Sequence, residues 1–287
     1  MNIFYTVKHY LKLGRWQARR AVVALRWSPS ALSGAPAVLG NAMPKSGSHL
    51  IIQVLQGLTR IGPFVNPGFP PVNRNEENAT LPADAIMANL RRMRPGDIAY
   101  GYLGYQEPFR NLLTAPGRAI VFVYRDPRDM LVSHVFYATD IHKGHGMHRY
   151  YTEKLHTMEE RLTAAIRGIE DPNSSLPSVR TRYEHYLGWL KESAALCLRF
   201  EDLILDRDAA LNRLLDYLER YGFVSRLPRG YVVGVLKQAI VPKKSGTFRK
   251  GQPGNWREHF TEANKALFKE LAGDLLIRLG YEKDSNW

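Results

Sequence analysis

Pro44-Lys45-Ser46-Gly47-Ser48 stands between an apolar run, Ala37 to Ala42, and a segment in which Leu50, Ile51, Val54, Leu55 and Leu58 recur at helical spacing. Such a turn can hold an anion. First-turn N–H groups lack partners inside the helix, the helix end carries partial positive charge, Gly47 admits close backbone approach and Lys45 adds a full charge. The nucleoside-triphosphate pattern G-x-x-x-x-G-K-[ST] is not met, since Pro44 precedes Lys45 and Gly47 follows it by two. A second cluster, Arg125-Asp126-Pro127-Arg128-Asp129 with Ser133 one turn beyond, follows the apolar run Ala119 to Tyr124. Ligands of open α/β sheets bind at the carboxyl ends of strands, so Arg125 and Ser133 suit a second anionic group. Asp126, Arg128 and Asp129 read instead as an N-capped helix with surface ion pairs. A third cluster, Gly246 to Trp256, sets Arg249, Lys250 and Gly251 in a basic loop flanked by aromatic residues. Three basic sites in one chain fit a ligand with phosphates at two separated points.

The elements that must position these clusters follow from periodicity. Strands are expected at 37–42, 97–102, 119–124 and 196–200. Helices are expected after Gly47, from Pro127 to about Tyr137, and over roughly 153–168, 178–193, 207–221, 229–239 and 262–279. Strands alternating with helices predict a single α/β domain, a central parallel β-sheet flanked by helices, with a P-loop-like phosphate-binding turn. Residues 62–82, rich in proline, read as a long irregular segment. The chain of 287 residues is 45% hydrophobic and 11% aromatic, which excludes a disordered or fibrous protein. Its lone Cys197, in an apolar run, excludes a disulfide-stapled scaffold and reads as a small buried hydrophobe. No apolar run reaches the eighteen or so residues of a spanning helix, and the stretch after Arg19-Arg20 is too short for an export signal. A soluble, cytoplasmic protein is expected.

The formal charge is +13, and nine basic residues precede the first acidic one, Glu76. An anionic partner follows. Residues 1–30 predict a basic amphipathic helix, separate from a domain over 31–287. At about 100° per residue, Phe4, Val7, Leu11, Ala18, Val22 and Leu25 share one stripe, with Lys8, Lys12, Arg15, Arg19 and Arg26 beside it. That stripe is expected to dock on the domain with its basic edge in water; the alternative is peripheral contact of residues 1–27 with an anionic membrane. No nucleic acid is expected.

Met43 to Ser48 resembles the 5′-phosphosulfate loop, P-K-S-G-[TS], of sulfotransferases that use 3′-phosphoadenosine 5′-phosphosulfate (PAPS). Arg125 to Asp129 with Ser133 resembles their 3′-phosphate motif, R-[DN]-P-[RK]-D-x-x-x-S. Phe248-Arg249-Lys250-Gly251 with Gly254-Asn255-Trp256 is similar to their F-R-K-G-x-x-G-[DN]-W signature, and Phe200-Glu201-Asp202-Leu203 to their [YF]-E-D-L. The resemblance implies transfer of a sulfuryl group from PAPS to a hydroxyl of a small molecule, sugar or lipid, leaving adenosine 3′,5′-bisphosphate. It implies that Lys45 meets the bridging and sulfuryl oxygens, that Ser46, Gly47, Ser48 and His49 bind the 5′-phosphate, and that Arg125, Ser133, Arg249, Lys250 and Gly251 hold the 3′-phosphate. Phe200 would lie beside the adenine. No metal is implied, and His142, His145 and His148 are not read as a zinc site.

Two departures stand out. Leu50 occupies the place of an adenine-stacking Trp, and Gly101-Tyr102-Leu103-Gly104-Tyr105 aligns with G-H-L-x-Y, so Tyr102 replaces the catalytic His. A phenol with a pKa near 10 is a poor base at neutral pH. Glu107 is the first substitute, then His134 and His145. Two other readings remain: a non-catalytic nucleotide- or anion-binding protein at a membrane surface on the same fold, and a P-loop kinase.

Overall fold

The computed structural model describes residues 3–244 and 250–287. In chain order the elements are α1 (Ile3–Trp27), α2 (Pro29–Gly34), β1 (Ala37–Ala42), α3 (Ser48–Ile61), α4 (Ala83–Arg92), β2 (Ile98–Gly101), α5 (Glu107–Leu113) and β3 (Arg118–Tyr124). There follow α6 (Pro127–Phe136), α7 (Met158–Arg167), β4 (Ile169–Asp171), β5 (Ser174–Leu176), α8 (Val179–Leu187), β6 (Ala195–Arg199), α9 (Phe200–Leu205), α10 (Arg207–Arg220), α11 (Arg229–Ala239) and α12 (Glu262–Arg278). Two compact units result: one runs to Tyr124 and resumes over Trp189–Pro242, the other comprises Arg125–Gly188 and Lys243–Trp287.

The first unit holds a four-stranded, wholly parallel sheet in the order β2-β1-β3-β6. Every residue of β1 is buried, as a central strand covered on both faces requires. Val38, Gly40 and Ala42 face α3, and a Cβ on Gly40 would come within 2.8 Å of Leu55 Cδ1, so glycine sets how closely helix and strand approach. Val121, Val123 and Leu198 join α3, α10 and α11 in one apolar core. The Tyr217 hydroxyl accepts the Ile120 N–H at 2.9 Å and donates to the Ala194 carbonyl at 2.7 Å, satisfying backbone groups of two segments at once. Cys197 is half-buried, and burial pushes its thiol up to about 11.

In the second unit α7 packs against α6 and α12, and β4 and β5 form a short antiparallel hairpin. The parallel α/β architecture and the strand positions agree with the sequence expectations. Helix limits differ where local chemistry intervenes. Instead of starting near 153, α7 starts at Met158, because Thr157 and Glu160 form a capping box. Beyond Leu187, α8 gives way to the tighter turn Gly188–Lys191. Short α4, α5 and the β4–β5 hairpin were not anticipated.

The expected N-terminal helix is present, but it docks by another face. Trp16 is buried with Leu32 and Val65, and Leu13, Val23, Ala24 and Phe69 pack around them. Leu11, Ala18, Val22 and Leu25, the predicted docking stripe, are exposed; the side chains of Phe4, Val7 and Lys8 lie outside the described residues. The reason is polar. Asp97 is fully buried and accepts hydrogen bonds from Trp16 Nε1 at 3.0 Å, Arg20 Nη1 at 2.8 Å and the Arg94 N–H at 2.9 Å. Burial pushes the Asp97 carboxyl above its ordinary value, and these donors pull against that shift. A docking face carrying an arginine does not read as apolar. Asp97→Ala should cost about 3 kcal/mol, because it strands the half-buried Arg20 and the buried Trp16 N–H and frees the helix; an unfolding midpoint in urea equal to that of the parent protein would show the anchor to be inert.

Candidate active site

β1 ends at Ala42 and α3 begins at Ser48, so five residues must turn the chain. They do so with Lys45 at φ +66° and Gly47 at φ +94°. The Gly47 carbonyl accepts the N–H groups of Leu50 and Ile51 at 3.0 and 3.1 Å, while no side chain caps the first turn of α3. Donors of that turn are left for an anion. The Ser46 hydroxyl is buried without a hydrogen-bond partner among the described residues. A Cβ on Gly47 would lie 2.6 Å from Phe200 Cδ2, so the buried Phe200 ring forms a wall of the turn. His49 is exposed in the first turn of α3, and partial burial of its ring together with the Lys45 charge holds its pKa below the ordinary value.

Beyond β2 the backbone is clamped by side-chain amides. Asn41, fully buried in β1, donates to the Leu103 carbonyl at 2.9 Å and accepts the Leu103 N–H at 2.8 Å. Asn73 accepts the Tyr102 N–H and donates to its carbonyl, each at 3.1 Å, and Trp189 Nε1 also donates to the Leu103 carbonyl at 2.9 Å. Tyr102 held this way donates from its hydroxyl to Ser48 Oγ at 3.1 Å. The phenol that stands where the sequence comparison expected a His therefore touches the end of the Pro44–Ser48 turn. Glu107 is exposed in the first turn of α5. Neither asparagine clamp was read from the sequence; Asn41, a polar residue inside an apolar strand, was the available signal.

In the second unit, Asp126 caps α6 by accepting the Arg128 N–H at 2.9 Å. The ion pairs expected at the surface are buried instead. Arg128 binds Asp126 and Glu282, each at 2.7 Å, with its guanidinium 4.0 Å from the ring centre of Trp256 and 4.5 Å from that of Trp287. Asp129, also buried, accepts the N–H groups of Gly254 and Trp256 at 2.7 and 2.8 Å and lies 3.7 Å from Arg125 Nη2. It thereby joins the second and third motifs. Burial raises the Asp129 pKa, opposed by Arg125 and the two N–H donors. Arg125 is buried and its carbonyl accepts the Tyr183 hydroxyl at 2.9 Å, while Ser133 is half-buried one turn after Asp129. Lys250 is exposed and pairs with Glu258 at 2.6 Å, Gly251 has φ +63°, and Arg249 lies outside the described residues. The Asn255 carboxamide is buried with no partner among the described residues.

His134 is buried, with its ring 5.3 Å from that of His145, and His142 stacks on Tyr137 at 5.4 Å. These rings form an aromatic cluster within the second unit.

Residues 108–280 match the family model described as the sulfotransferase domain, and the chain belongs to that family. The 3-alpha-hydroxysteroid sulfotransferase of Cavia porcellus is 24% identical over 169 residues, 53% of this chain and 54% of the relative, so the chain spans about half the length of that curated relative. Mouse sulfotransferase SULT7A1, solved as a complex with PAP, superposes with a TM-score of 0.59 at 16% identity, over 88% of this chain and 91% of its own. Retinol dehydratase, solved with androsterone and inactive cofactor PAP, gives 0.54 at 15%, over 85% and 83%. The fold is shared with both. The Pro44–Ser48 turn and Tyr102 precede the span matched by the family model, whereas Arg125, Ser133, Phe200, Lys250 and Gly251 fall within it.

The double role of Asp129 is open to direct measurement. Asp129→Ala should cost about 3 kcal/mol by removing the carboxylate beside Arg125 and the acceptor of the Gly254 and Trp256 N–H groups. Trp256 fluorescence would report release of the 254–256 segment; unchanged stability and emission would refute the link.

Proposed function

We propose that the protein transfers a sulfuryl group from PAPS to an acceptor hydroxyl, leaving adenosine 3′,5′-bisphosphate. The observation that carries this reading is the Pro44–Ser48 turn: Lys45 and Gly47 at positive φ, a helix start with no side-chain cap and a buried Ser46 hydroxyl without a partner among the described residues. Membership of the sulfotransferase domain family supports it, as do neighbours of the same fold solved with PAP. Ser46, Ser48, His49 and the backbone at Gly47 would hold the 5′-phosphate. Lys45 would neutralise the charge that grows on the departing phosphate oxygen, where a fixed cation stabilises the transition state more than the ground state. Arg125, Ser133, Arg249, Lys250 and Gly251 would hold the 3′-phosphate, and Phe200 would shape the turn through Gly47. PAPS supplies an activated sulfuryl group: its sulfur–oxygen bond to the phosphate breaks as one to the acceptor oxygen forms, and the acceptor proton passes to a base on the protein.

Lys45→Ala should lower turnover by about 10²- to 10³-fold, the scale of losing one transition-state charge partner, with an unchanged melting temperature. Arg125→Ala and Lys250→Ala should weaken binding of adenosine 3′,5′-bisphosphate far more than of adenosine 5′-phosphate. Near-parental turnover of a folded Lys45→Ala protein would refute the transfer reading. Equal losses for both nucleotides would remove the 3′-phosphate assignment.

Glu107 is assigned as the base and Tyr102 as the group that orients the acceptor, through its hydrogen bond to Ser48. A carboxylate base keeps activity on the acid side of neutrality, since its ordinary pKa is near 4, whereas an imidazole loses activity below about pH 6.5. Glu107→Gln should cost more turnover than Tyr102→Phe. The reverse order, with activity rising toward alkaline pH, would transfer the role to the phenol.

A further inference from the structure

The docking of α1 leaves a second apolar face outward. Its inner side, centred on Trp16 and Arg20, is consumed by Asp97 and the Leu32–Val65 cluster. On the opposite side Leu11, Val22 and Leu25 are 57%, 63% and 88% exposed, in line with Ala18. Large aliphatic side chains exposed in a row along one helix form a patch rather than scattered surface residues. A shallow concavity of about 550 Å³ opens on the same side, lined by Tyr10, Leu11, Gly14, Arg15 and Ala18.

Charge selects the occupant. At helical spacing Arg15, Arg19 and Arg26 form the edge that borders this stripe, and all three are exposed. Lys12 on that edge is neutralised by Glu76, and Arg19 also reaches the Asn66 carbonyl at 2.8 Å. No acidic residue occurs in α1. A stripe of leucine and valine beside a row of arginines matches acyl chains lying beneath anionic headgroups, and a second copy of the same face would set arginines against arginines. No helix among the described residues is long and apolar enough to cross a membrane. We infer that α1 is a membrane-surface element: it stays docked through Trp16, Arg20 and Asp97 and lays Leu11, Val22 and Leu25 into an anionic lipid surface, with Arg15 and Arg26 at the phosphate level.

The test uses the full chain and extruded vesicles, one set of phosphatidylcholine alone and one containing a third phosphatidylglycerol, sedimented at low and high salt. The parent protein should pellet with the anionic vesicles at least tenfold more than with the neutral ones, and high salt should reduce this. Leu11→Ser/Val22→Ser/Leu25→Ser should abolish pelleting, and Arg15→Gln/Arg26→Gln should lower it severalfold, with both variants keeping the parental melting temperature because the residues are exposed. Equal pelleting of parent and triple-serine protein would overturn the inference. So would a parent protein that ignores anionic vesicles, or one that sediments as a dimer and becomes monomeric on the triple substitution, which would make the face a contact between copies.

Discussion

A buried parallel strand has to be left abruptly. β1 is hydrogen-bonded on both sides and covered on both faces, so the chain cannot drift away from Ala42; it must turn within five residues into α3, whose approach is limited by Gly40 against Leu55. That constraint drives Lys45 and Gly47 into left-handed backbone and leaves the first N–H groups of α3 without a side-chain cap. The open first turn of α3 is thus the by-product of a packing requirement, and Lys45 and Ser46 stand in a geometry that the strand imposes.

Single buried polar groups carry the positioning elsewhere. Asn41, Asp97 and Asp129 each hold two or three donors or acceptors from remote parts of their own unit. A buried group of this kind is costly unless every bond is made, so each fixes one arrangement of its neighbours and penalises the alternatives. Phe200 does comparable work by shape alone, since its ring occupies the space that any side chain at residue 47 would need.

These relations explain what could be read in advance. The strands were legible because continuous apolar runs such as Ala119 to Tyr124 have few other uses, and the turn between β1 and α3 because lysine and glycine between strand and helix form a local pattern. The docking face of α1 was not, for its anchors are a tryptophan and an arginine whose common partner, Asp97, lies 81 and 77 residues away. Periodicity ranks faces by apolarity and so chose the one that the rest of the chain leaves uncovered. Arg128 was misread for the same reason: a guanidinium becomes a core residue only when carboxylates and indole faces such as Trp256 and Trp287 converge on it, and nothing local announces them. Short α4 and α5 carry too few turns for a periodic signal.

The clamp of Asn41 on both peptide groups of Leu103, reinforced by Asn73 and Trp189, fixes the backbone at Tyr102 without using the Tyr102 side chain. Frame and reagent are thereby decoupled. An imidazole, a phenol or an amide at residue 102 would be carried by the same backbone, so the side chain there can be exchanged with little consequence for the fold. The region beside the Pro44–Ser48 turn is in this sense a socket, in which one side chain can be exchanged for another within a fixed frame.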